Sequence, residues 1–161
     1  MAEFCIGTAQ FGMKYGIANE TGPPSQKEIY QIVKYAVENN IAYFDTAQSY
    51  GKSETLLGNA FTKLDNIKEI KVITKLSPAI QQGTAEEIFE SVELSLNKLK
   101  LDYIYGFLAH RLETIHSDHF SSSIDKLKDK GMIKKCGVSV YTPNEAMVAL
   151  ENPLVEILQI P

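Results

Sequence analysis

The sequence predicts a parallel α/β protein of about six strands and five helices, and three observations point there. Short apolar runs alternate with stretches whose apolar residues recur at helical spacing, from Phe4 to Ile160. Three of the helical stretches open on a capping signature: Ser25-x-x-Glu28, Thr84-x-x-Glu87 and Thr142-Pro143-Asn144-Glu145. One run, Tyr103 to Ala109, is nearly continuous in apolar residues, as a strand covered on both faces must be. Periodicity alone leaves an open doubly wound sheet and a barrel equally available, because right-handed crossovers reach both.

Taken in order, Phe4-Cys5-Ile6-Gly7-Thr8 is the first strand. Gln10 to Pro24 reads as a long loop, broken by Gly12, Gly16, Gly22, Pro23 and Pro24. After the Ser25 cap, Ile29, Ile32, Val33, Ala36 and Val37 form one helical face, and Asn39-Asn40 stops it. Ile41 to Asp45 is the second strand, and Ser53 to Leu64 a short helix with Leu56, Leu57, Ala60 and Phe61 on one side. Val72 to Leu76 is the third strand, ended by Ser77-Pro78. Thr84 caps a helix carrying Ile88, Val92, Leu96 and Leu99, and Tyr103 to Ala109 is the fourth strand. A less regular helix lies between Asp118 and Lys130, closed by Gly131. Cys136 to Val140, a helix from Thr142, and Val155 to Ile160 complete the pattern.

With 161 residues and no stretch of linker composition, one domain is expected. The 44% apolar and 22% charged content is that of a soluble globular protein. A net charge of -4 argues against a nucleic-acid binder, which usually shows a basic face. No run approaches a membrane span, and Met1-Ala2-Glu3-Phe4 shows no secretory leader. Cys5 and Cys136 fall in predicted strands and read as reduced thiols packed as small hydrophobes, so the expected compartment is the cytoplasm.

In parallel α/β proteins functional groups gather where strands run into the following loops. Those ends hold Thr8 and Gln10, then Asp45 and Tyr50, then Lys75, His110, Ser139 and Gln159. A lysine within Val-Ile-Thr-Lys-Leu and a histidine closing Gly-Phe-Leu-Ala-His are costly to bury unless paired. Taken singly, each has an ordinary structural role. Acid, phenol, amine and imidazole at successive strand ends form a set suited to protonating a carbonyl oxygen while hydride arrives at carbon. In that scheme an ammonium near the phenol lowers its pKa, and a carboxylate keeps the ammonium charged and oriented.

The segments Gly7-Thr8-Ala9-Gln10-Phe11-Gly12, Phe44-Asp45-Thr46-Ala47-Gln48-Ser49-Tyr50-Gly51 with Ser53-Glu54, Ile73-Thr74-Lys75, Leu108-Ala109-His110, Gly137-Val138-Ser139 and Leu158-Gln159 resemble the aldo-keto reductases. They occur in that family's order and span the chain. The resemblance implies a TIM (β/α)8 barrel and NADPH as cofactor, with NADH less common. It implies Tyr50 as proton donor, Lys75 and His110 as its tuning partners, and Asp45 as the carboxylate paired with Lys75. Gly7, Thr8, Ser139 and Gln159 take cofactor-binding places, the last two on the nicotinamide carboxamide, while Phe11 and Tyr15 stand at the near wall of the substrate pocket. Val140 replaces an asparagine common in the family.

A complete barrel of this type has eight strands and about 250 residues. Residues 1–161 are therefore expected to form the N-terminal part of one barrel domain, interrupted after the sixth strand. Such an incomplete barrel exposes two sheet edges, which favours self-association. By the resemblance it also lacks the last loops that hold most of the cofactor's phosphates, so weak cofactor binding is expected. The substrate expected is a small carbonyl compound; the rival is a barrel-derived binding or regulatory module without catalysis. Gly51-Lys52-Ser53 is not a P-loop, because Thr46 stands where the motif needs its first glycine. His116-x-x-His119 has no third ligand at a useful spacing and reads as a solvated helix start.

Overall fold

A computed structural model describes residues 3–161 except 18, 66, 68 and 81. Met1 and Ala2, part of the stretch in which no leader was read, and Ala18 of the expected loop lie outside the described residues. The strands are β1 (Cys5–Gly7), β2 (Tyr43–Asp45), β3 (Lys71–Lys75), β4 (Ile104–Ala109), β5 (Ile133–Ser139) and β6 (Ile157–Gln159). The helices are α1 (Ala9–Gly12), α2 (Gln26–Glu38), α3 (Ser53–Phe61), α4 (Ala85–Leu99), α5 (Asp118–Asp129) and α6 (Pro143–Leu150). The strands pair in parallel in chain order, β1 to β6, as one curved sheet with the amphipathic helices on one side. The architecture is an incomplete barrel, and no described helix is long and apolar enough to cross a membrane.

Helix starts follow the sequence closely. Ser25, Thr84 and Thr142 each accept from the third helical amide, and Glu28, Glu87 and Glu145 reach back to the cap backbone. Each such cap satisfies donors that the helix cannot and contributes roughly 1 kcal/mol. The core lies between sheet and helices. There Phe44 meets Phe61 edge-on at 5.5 Å, Phe107 stacks on Phe120 at 6.4 Å, and Ile29, Val33, Leu57, Ile88 and Val92 are fully buried. Burying each of these side chains contributes about 1.5–3 kcal/mol, which is why the helical faces dock on the sheet.

Three expectations need correction. The stretch read as loop from Gln10 contains α1, a single turn too short for periodicity to reveal, whose Phe11 is only 5% exposed and packs in the core. The helix expected to reach Leu64 ends at Phe61. Cys136 is buried as expected, but Cys5 is exposed, because it lies on β1, which pairs on one side only among the described residues.

Candidate active site

Register brings the strand ends to one rim. Gly7, Asp45 and Ile73 are aligned across β1, β2 and β3, Lys75 aligns with Leu108, and Ser139 aligns with Gln159. Asp45 ends β2, Lys75 ends β3, His110 follows β4, and Ser139 and Gln159 end β5 and β6. All therefore stand at the C-terminal mouth of the sheet, where parallel α/β folds place their chemistry.

Lys75 is 3% exposed and its ammonium donates to Asp45 Oδ1 (2.5 Å) and to the Thr46 carbonyl (3.0 Å). Gln159 Nε2 donates to the same Asp45 Oδ1 at 3.1 Å, linking residues 114 apart in sequence. Curvature of the sheet is what lets β6 touch the end of β2. Burial pushes the Lys75 pKa down, and the adjacent Asp45 opposes that shift.

Tyr50 does not hydrogen-bond to Lys75; the ammonium lies 5.2 Å from the centre of its ring. Its phenol is pushed up to about 12, first by burial and then by the negative charge of Asp45. The lowering expected from Lys75 does not prevail: burial and the charge of Asp45, which pairs with that ammonium, both act the other way. His110 is shifted down by burial and then by the positive charges of Lys75 and Arg111, which favours neutral imidazole, and its buried Nδ1 has no partner.

Two cavities flank this cluster. One of about 380 Å³ is lined by Gly7, Thr8, Tyr15, Asp45, Tyr50 and Gln159 among others. The other, of about 400 Å³, includes His110, Arg111, Ser139 and Tyr141 in its walls. Gly7 has open space where a Cβ would stand, which suits close approach of a ligand. Gln159 Oε1 is buried without a partner, and Ser139 lies in the neighbouring strand, 7% exposed. An orphaned acceptor beside a hydroxyl fits a primary carboxamide, whose amine donates and whose oxygen accepts. Val140 is buried in the core.

Not every predicted site residue faces these spaces. Phe11, expected at the pocket wall, is buried against the core, whereas Tyr15 lines the cavity with Tyr50. Thr8 lines that cavity too, although it is fully buried, and its hydroxyl donates to the Asp45 carbonyl at 2.8 Å. It belongs to a buried hydroxyl chain: Thr46 Oγ1 donates to Ser53 Oγ (3.0 Å), whose proton is shared between Thr8 O (2.9 Å) and Thr8 Oγ1 (2.8 Å). Glu54, 3% exposed, accepts from the Thr74 hydroxyl at 2.8 Å and lies 3.8 Å from Lys98 Nζ. These residues hold α1, α3 and β3 around the cluster. Their bracing role is hinted at in the sequence by polar side chains at positions whose helical or strand face is buried.

The aldo/keto reductase family model matches residues 3–160. A probable aldo-keto reductase of soybean (Glycine max) is 28% identical over 156 residues, covering 86% of this chain and 45% of the relative. An uncharacterized oxidoreductase of Mycobacterium bovis is 31% identical over 159 residues, covering 93% of this chain and 46% of its own length. The chain thus spans about half the length of the curated relatives it matches. Among solved structures, an aldo-keto reductase of Bacillus halodurans in its holo form superposes with a TM-score of 0.78 at 23% identity, covering 98% of this chain and 52% of that one. The Bombyx mori aldo-keto reductase in complex with NADP gives 0.71 at 23% identity, covering 97% and 53%.

Proposed function

The chain belongs to the aldo/keto reductase family, and from that premise we propose that residues 1–161 are the N-terminal part of one barrel domain that reduces an aldehyde or ketone to an alcohol. The observation that carries this is the meeting of Asp45, Lys75 and Gln159 from three strand ends beside Tyr50. When bound, a reduced nicotinamide, NADPH before NADH, supplies a hydride to the substrate carbonyl carbon. Ser139 and the free Oε1 of Gln159 would hold its carboxamide, and the open space at Gly7 lets it approach the sheet.

Tyr50 supplies the proton. A phenol raised to about 12 is fully protonated at neutral pH, so the proton is present when needed. It moves to the carbonyl oxygen only as that oxygen becomes anionic, and the Lys75 ammonium near the ring stabilises the phenolate left behind. Asp45 keeps Lys75 charged against its burial. His110, held toward the neutral form, orients the carbonyl and does not compete as the acid. The alcohol product leaves, and Tyr50 takes its proton back from solvent.

The test is stopped-flow and steady-state oxidation of NADPH by the purified chain with p-nitrobenzaldehyde. Turnover is expected to be slow and NADPH binding weak, because the chain spans only about half of its relatives. Tyr50→Phe is expected to lower what turnover there is by about 10²–10⁴-fold with little change in stability. Equal rates for the two chains would remove Tyr50 as the acid. Tight NADPH binding with no turnover would support the non-catalytic module instead.

Self-association is part of the same proposal. Among the described residues β1 and β6 each pair on one side only, and Phe4, Met147, Leu150 and Ile160 are 63–78% exposed. Unpaired strand edges flanked by apolar side chains are templates for another chain. Light scattering at roughly 100 μM, well above the micromolar range of weak complexes, is expected to show a mass above one chain; a uniform monomer rejects it.

A further inference from the structure

Gln48 lies between Asp45 and Tyr50 on the β2–α3 loop, and its backbone N–H and both ends of its side-chain amide are committed. Its backbone N–H donates to the Lys75 carbonyl at 3.1 Å. Its side-chain Oε1 accepts from the Ser77 N–H at 2.8 Å, and its Nε2 donates to Ser95 Oγ at 3.0 Å and the Ser91 carbonyl at 3.1 Å. The amide can sit only one way round. An N–H faces one end and a carbonyl the other, so a flipped amide loses both contacts. Ser95 is 1% exposed on α4, which makes the far anchor rigid.

We propose that Gln48 is a positioning residue that fastens the Tyr50 loop to residues 75 and 77, setting the depth at which the phenol is held near the ammonium. The role rests on the catalytic roles given above to Tyr50 and Lys75, but the placement itself is testable without turnover. Main-chain and side-chain contacts of Gln48 grip residues 75 and 77 together, while Ser91 and Ser95 hold the other end against α4. Tyr50, two residues on, is carried by the same turn, whose own bonds are local: Tyr50 N–H to Ala47 O and Ser53 N–H to Tyr50 O. Those local bonds do not reach β3. Beside Gln48 only Thr46, nearer the strand end, does so among the described residues, donating to the Ile73 carbonyl at 2.8 Å and accepting from Lys75 Nζ at 3.0 Å.

The experiment is NMR titration of ¹³Cζ-tyrosine in the whole chain, comparing wild type with Gln48→Leu, Gln48→Glu and Ser95→Ala. Gln48→Glu keeps the shape but turns a carboxylate oxygen onto the Ser91 carbonyl, so repulsion replaces a bond. The wild-type Tyr50 signal is expected to titrate near 12. In both Gln48 variants it is expected to fall by about one pH unit as the phenol becomes better hydrated, and by less in Ser95→Ala. Retained far-UV circular dichroism with an unmoved Tyr50 titration in the Gln48 variants overturns the role. Should they unfold, Ser95→Ala decides alone: an unmoved Tyr50 there also overturns it. A chain that shifts as expected but never oxidises NADPH keeps the placement and rejects only the catalytic reading.

Discussion

Asp45→Asn is expected to destabilise the fold by about 3–5 kcal/mol, the usual cost of leaving one member of a buried ion pair alone. That corresponds to a fall of roughly 6–20 °C in thermal midpoint for a domain of this size. Lys75 is 3% exposed, and its other acceptor is the neutral Thr46 carbonyl, so the ammonium loses the carboxylate it is paired with. Lys75→Met is expected to cost less. Asp45 is 16% exposed and keeps the Gln159 donor, so it can take solvent where the lysine cannot.

The pH dependence separates this mechanism from a loss of packing. Burial already pushes the Lys75 pKa down in the wild type, and Asp45 is the largest influence opposing it. With Asp45 neutralised, the folded-state pKa drops further below the unfolded value. A depressed folded pKa gives stability that is present above the unfolded pKa and lost as pH falls. The deficit of Asp45→Asn relative to wild type should therefore shrink between pH 7 and pH 10. Urea unfolding at both values measures it, and a deficit constant across that range contradicts the buried-charge explanation. The double variant Asp45→Asn with Lys75→Met should recover most of the loss, since neither charge remains.

Gly12→Ala is expected to be damaging although it adds a single methyl group. A Cβ at Gly12 would lie 1.8 Å from the Tyr50 carbonyl oxygen, 2.5 Å from the Ser53 nitrogen and 2.8 Å from the Lys52 nitrogen, all backbone atoms. Gly51 faces it with φ of +57°, and its own Cβ would meet the Gly12 oxygen at 2.4 Å. The end of α1 and the Tyr50–Ser53 turn thus touch backbone to backbone, and neither can yield by rotating a side chain. The overpacking cost is about 1–3 kcal/mol. It should fall on the turn that carries Tyr50, so aldehyde reduction should drop more than stability does. Gly7→Ala, where nothing lies within 4 Å, should change stability by less than about 0.5 kcal/mol. Comparable thermal midpoints for the two alanine variants would show that α1 does not brace the turn.

Much of the fold was legible because it is written in short windows. Three capping boxes marked helix starts that the structure reproduces at Ser25, Thr84 and Thr142. Alternation of strand and helix gave a parallel sheet, and the strand ends supplied the polar rim. One turn of helix around Phe11 escaped because four residues carry no period. Its aromatic, the natural candidate for a pocket wall, was drawn into the core by burial worth more than exposure. The hydroxyl chain that Thr8 joins at the cavity wall escaped as well, since a threonine at a strand end has the same local pattern whether or not it bonds within the protein.

What the sequence determined by itself is the kind of chemistry available at the Asp45–Tyr50 stretch and the elements that carry it: an acid closing a strand, a phenol on the next turn, a lysine and a histidine at later strand ends. Those are properties of residue type and local spacing. Only the tertiary structure decided that Lys75 gives its protons to Asp45 and Thr46, that Gln159 reaches Asp45 across the sheet, and that Gln48 ties the loop to β3. It also reversed the expected direction of the Tyr50 shift. Hydrogen-bond partners and desolvation depend on sheet curvature and on what packs overhead, and neither is encoded within reach of a single turn or strand.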